Sequence, residues 1–80
     1  MKANHIIKSL QNKQKKVNKT IASMQRDMEQ IFNVENPTKE QMKEACLLFG
    51  GISHNKKILK EIDTTIASLN KLIGFNIDNL

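Results

Sequence analysis

Eighty residues carrying a net charge of +5 and 4% aromatic residues make at most one domain, with little material for a large globular core. A single cysteine, Cys46, excludes an internal disulfide and suits a reducing, cytoplasmic setting. No apolar run approaches the roughly 20 residues of a membrane span, and the start of the chain lacks the apolar core of a signal peptide.

The charge is uneven along the chain. Residues 1–25 hold six lysines (Lys2, Lys8, Lys13, Lys15, Lys16, Lys19) and no acid. Residues 26–44 set Arg26, Lys39 and Lys43 against Asp27, Glu29, Glu35, Glu40 and Glu44, a net −2. Lys56, Lys57, Lys60 and Lys71 restore the positive balance. One Pro and three Gly leave room for few turns, so long helices are expected.

The first predicted helix covers about residues 4–33. Steps of alternately four and three give Ala3, Ile7, Leu10, Gln14, Val17, Ile21, Met24, Met28 and Ile31. This spacing lies on one helical stripe, and only Gln14 interrupts its apolar character. Asn33 to Pro37 is the clear break. Asn36 as cap with Pro37 at the first helical position is one start signal for a second helix. Thr38-Lys39-Glu40-Gln41, a capping box, is another.

From Thr38 the alternation continues through Gln41, Ala45, Leu48, Ile52, Asn55, Leu59, Ile62, Ile66, Leu69 and Ile73. Gly50-Gly51 does not disturb it. Two helical glycines cost on the order of 2 kcal/mol relative to alanine. A helix over about 37–49 therefore either continues, kinked, into 52–73 or breaks there to give a three-helix bundle. Gly74 reads as a left-handed C-terminal cap, followed by a tail over 75–80.

The expected fold is all-α, an antiparallel, coiled-coil-like helical hairpin in one domain over residues 1–80. An index sum of 69 across the hairpin pairs Gln14 with Asn55, so that the two amides meet in one layer and set the register. That register leaves Leu69, Leu72 and Ile73 beyond the start of the first helix. Phe32, Met42 and Phe49 lie beside the seam near the loop, and Ile6 and Ile58 on the other flank.

Few chemical motifs are present. His5, His54 and Cys46 show no metal-ligand spacing, and Cys46 reads as a buried or interface thiol. The acids do not converge, and Gly50-Gly51 lacks the pattern of a phosphate loop. No enzymatic activity, cofactor or small-molecule substrate is expected, and the narrow stripe does not suit a membrane surface.

Three functions fit. The first is a protein-interaction module (adaptor, small chaperone or inhibitor) using Phe32, Met42, Leu47, Phe49, Leu69, Leu72, Ile73 and Phe75. A homodimer is the expected assembly. The second is nucleic-acid binding through Lys8, Lys15, Lys16, Lys19, Lys56, Lys57 and Lys60, which come alongside one another in the hairpin. Against it stand a single arginine and the lack of aromatic residues among the lysines. The third is a self-assembling structural subunit. The length, the Asn36-Pro37 turn and the amphipathic segment through Glu61-Ile62-Asp63 resemble, in outline, small helical components of type III secretion systems, both needle subunits and their co-chaperones. The Lys-, Asn- and Ile-rich composition suits an AT-rich bacterial or phage genome.

Overall fold

The computed structural model describes the backbone of residues 2–78 and the side-chain surroundings of residues 4–74. Two helices, α1 (Lys2–Phe32) and α2 (Lys39–Asp78), pack antiparallel as a hairpin measuring 65 × 15 × 14 Å. No strand occurs among the described residues.

The seam follows the stripe of the sequence. Ile7, Val17 and Ile21 are buried; Leu10, Gln14, Met24, Met28 and Ile31 are half-buried. Every other described side chain of α1 is exposed. On α2 the inward set is Ala45, Leu48, Ile52, Asn55, Leu59, Ile62, Ile66, Leu69 and Ile73, with Gln41, Gly51 and Ile58 also partly covered. A two-helix seam can cover only one stripe of each helix, so burial is limited to that stripe.

The turn is closed by local hydrogen bonds. The Asn33 amide donates to the Glu29 carbonyl (3.0 Å) and the Val34 amide to that of Ile31 (3.1 Å). Thr38 caps α2. Its amide donates to Gln41 Oε1 (2.8 Å), and the Gln41 amide donates to Thr38 Oγ1 (3.1 Å). This reciprocal box satisfies two otherwise unpaired donors, so α2 starts at Lys39 rather than at Pro37 with an Asn36 cap.

α2 is a single helix through Gly50 and Gly51, not two helices with a break, and the three-helix arrangement does not form. Leu48 and Ile52 occupy the seam on either side of the pair. A break would misplace one half of the stripe, and each well-buried aliphatic side chain is worth about 1.5–3 kcal/mol. That outweighs the glycine cost of roughly 2 kcal/mol. Gly74 is likewise no cap: α2 runs on to Asp78, and no described glycine has a positive φ. The expected tail over 75–80 is therefore helical as far as Asp78.

The two glycines differ. A Cβ at Gly50 would meet nothing within 4 Å, whereas one at Gly51 would lie 3.1 Å from Met24 Cε and 3.2 Å from its Sδ. Gly50→Ala should therefore raise stability by about 0.5–1 kcal/mol, a few degrees in Tm. Gly51→Ala should gain less, because Met24 must give way. Equal shifts in thermal melts of the two variants would contradict this packing.

The register departs from the amide-matched one. The index sum is 75 for Met24–Gly51, 77 for Gln14–Asp63 and 79 for Met24–Asn55, not 69. The same stripes face each other, displaced by about one heptad. Gln14 is level with Ile62, and Asn55 with Ile21. The two amides stand about 10 Å apart along the axis. Each finds another partner: Asn55 Nδ2 donates to the Gly51 carbonyl (2.7 Å) and lies 3.9 Å from Met24 Sδ, while Gln14 Nε2 donates to the Asp63 carboxylate. The displacement removes Thr38 and Gln41 from the seam and brings in Leu69 and Ile73. Two aliphatic side chains replace two polar ones, and the amides lose nothing because α2's own backbone and Asp63 satisfy them.

Candidate interaction surface

Residues 42, 46, 49, 53, 56 and 60 recur at helical spacing and form one stripe of α2 beside the seam. At its loop-end half stand Met42, Cys46 and Phe49, all exposed. Phe32 ends α1 on the same edge. Phe32 and Phe49 are 67% and 64% exposed, far above any seam residue. They flank a shallow groove of about 270 Å³ whose other walls are Met28, Ala45 and Cys46. An adjoining groove of about 390 Å³ shares Phe32 and Phe49 and extends to Gln25, Glu29 and Lys56. Single exposed apolar residues are ordinary on a protein surface; several adjoining ones are not.

Of the other expected contact residues that are described, Leu47 adjoins this edge and the rest lie elsewhere. Leu47 is 77% exposed and borders the edge on its outer side, where it lines a shallow groove of about 580 Å³ with Lys39, Met42, Lys43 and Cys46. Leu72, also exposed, lies level with Ile6 on the opposite edge at the open end. Leu69 and Ile73 do not project beyond α1; they are half-buried in the seam, Leu69 level with Ile7. The side chain of Phe75 falls outside the described residues. Ile58 packs against the core cluster of Val17, Ile21 and Ile52 rather than standing free.

Met28 and Ala45 were not among the expected contact residues. They belong to the seam, yet the displaced register leaves one side of each open between Phe32 and Phe49. Cys46 is exposed rather than buried.

The lysine group is exposed throughout: Lys8, Lys15, Lys16, Lys19, Lys56, Lys57 and Lys60. The register sets Lys16 level with Lys60 and Lys19 level with Lys57. Lys15, Lys56 and Lys60 share the long edge that carries Phe49, toward the open end. That edge is thus apolar near the loop and basic beyond its middle. His5 and His54 are exposed, and no group of three His, Cys, Asp or Glu side chains converges among the described residues. No described helix is long and apolar enough to cross a membrane.

No family model, curated protein or solved structure matches this chain. The resemblance to secretion-system components therefore stands on outline alone.

Proposed function

We propose that this chain is a non-enzymatic helical interaction module, of the adaptor, small-chaperone or inhibitor kind, that engages protein through the apolar edge at its loop end. The observation that carries this reading is the adjacency of Phe32, Met42, Cys46 and Phe49, uncovered beside a groove floored by Met28 and Ala45. Aromatic and methionine side chains on a rigid helical scaffold supply contact area with little ordering cost. The hairpin provides such a scaffold, because the edge residues sit on two helices clamped by one seam. A reducing aqueous compartment fits the exposed thiol.

The lysine face ranks below this reading. Among the described residues its lysines meet aromatic side chains only at Lys56, beside Phe32 and Phe49, and a single arginine occurs in the chain. Lysines so placed keep the outer surface solvated.

Affinity capture from a native lysate tests the proposal. Phe49→Asp should reduce the captured protein at least tenfold, roughly 1.4 kcal/mol, while the helical circular-dichroism signal is retained. Leu72→Asp, an equally drastic change at an exposed leucine on the opposite edge, should leave capture intact. Equal capture by wild type, Phe49→Asp and Phe32→Asp would refute the role of this edge.

A further inference from the structure

The apolar edge is also the place to ask what covers it. We propose that its occupant is a second copy of this chain, packed antiparallel about a two-fold axis that passes beside Cys46. The proposal rests on reading the edge as a protein interface and names the partner.

Surface area is the first argument. The chain exposes 6529 Å², whereas a compact monomer of 9.1 kDa exposes about 4,900 Å². The excess is about 1,600 Å². No large side chain is fully buried among the described residues. A standard interface removes about 800 Å² from each partner, so one such contact recovers about half of the excess per copy. A second hairpin has the right shape for this: two flat pairs of helices form a four-helix arrangement.

The edge is also complementary to itself. Met42 and Phe49 stand at nearly equal distances on either side of Cys46. A two-fold axis beside Cys46 therefore lays Met42 of one copy against Phe49 of the other, with the two Cys46 thiols near the axis. From Met42 to Ser53 this stripe of α2 carries no charge; Glu29, Lys39 and Lys43 border the adjoining grooves, where a charge at the rim of the contact can stay in water.

Charge sets the direction. Lys15, Lys56 and Lys60 lie on the same edge beyond the apolar half. Parallel packing would set each of them against its own counterpart. Antiparallel packing carries the lysine-rich open ends apart. It carries Lys56 toward the loop end of the other copy, near the stretch 26–44 of net charge −2.

Sedimentation equilibrium from low to high micromolar concentration reads the association. The expected mass rises from 9.1 kDa toward twice that value. Phe49→Asp should raise the dissociation constant about a hundredfold, and Leu72→Asp, on the opposite edge, should leave it unchanged. Direction is read by oxidative crosslinking in a Cys46→Ser background. Lys39→Cys mixed with Ser53→Cys should give disulfide dimers, and each alone should give almost none. Crosslinking of each variant with itself would establish parallel packing and overturn the proposal. A mass of 9.1 kDa at every concentration would also overturn it. In that event, loss of lysate capture by Phe49→Asp would leave the interaction reading standing with another occupant, and unchanged capture would end both.

Discussion

Ile52→Ala should lower the unfolding free energy by about 2–3 kcal/mol, whereas Leu47→Ala should change it by less than about 0.5 kcal/mol. The two positions are five residues apart on one helix and both are aliphatic, yet they are 7% and 77% exposed. Ile52 forms the core cluster with Val17 and Ile21, and Met24, Met28, Ile58 and Leu59 pack against it. Removing its side chain beyond Cβ forfeits transfer free energy and opens a void. The void can partly collapse, because the seam is one layer deep, and this holds the cost below the upper end seen in large cores. The described core has only five buried hydrophobic side chains, so no other layer makes good the loss. For a domain of this size the loss corresponds to roughly 10 °C or more in Tm. Urea unfolding at one fixed protein concentration is the measurement, since self-association would otherwise add to the apparent stability. Equal losses in the two variants would mean that this cluster is not the core.

The parts of the fold that were legible in the sequence depend on phase. The 3,4 spacing of Ile7, Val17, Ile21, Ile52 and Ile62 says which side of each helix turns inward, and those residues are the buried ones. Phase favours a continuous helix at Gly50-Gly51, because the stripe keeps its alternation across the pair, but the glycine cost leaves a break open until the packed seam decides it. Thr38 and Gln41 offer a cap through side-chain chemistry, but so do Asn36 and Pro37, and the structure uses the first pair. Level is a different quantity. Sliding one helix past the other by a heptad leaves every phase unchanged, so periodicity cannot choose between registers. The choice falls to the summed contents of the seam. Matching Gln14 with Asn55 carries weight only if both amides lack other partners, and Asn55 has one in the Gly51 carbonyl of its own helix.

The candidate surface divides along the same line. Phe32, Met42 and Phe49 stand beside the seam at any register, so their exposure could be anticipated. Leu69 and Ile73 were expected to project only because the amide-matched register left them without a partner in α1. Once the hairpin slides, they become seam. The groove floor of Met28 and Ala45 is visible only when level is known. A narrow seam thus has two consequences: it keeps the core small, and it leaves an apolar edge that the hairpin itself cannot cover.

Opposite signs at two positions would establish the register in solution. Leu69→Ala should cost about 1–2 kcal/mol, because Leu69 fills the seam level with Ile7, which is 8% exposed. If Leu69 overhung α1, the same change would cost less than about 0.5 kcal/mol. Gln14→Leu should be neutral or stabilising by up to about 1 kcal/mol. Gln14 is half-buried and level with Ile62, so leucine adds apolar burial there. What it gives up is one exposed hydrogen bond to Asp63, which water can replace. In the amide-matched register Gln14→Leu would strand the Asn55 amide against a leucine and cost about 1–3 kcal/mol. Denaturant titrations of the two variants and the wild type therefore discriminate by sign rather than by size. A stable Leu69→Ala together with a destabilised Gln14→Leu would restore the amide pair and return Leu69 and Ile73 to the exposed surface. The expected pattern keeps them in the seam, and the loop-end edge of Phe32, Met42, Cys46 and Phe49 stays an apolar feature the hairpin leaves open.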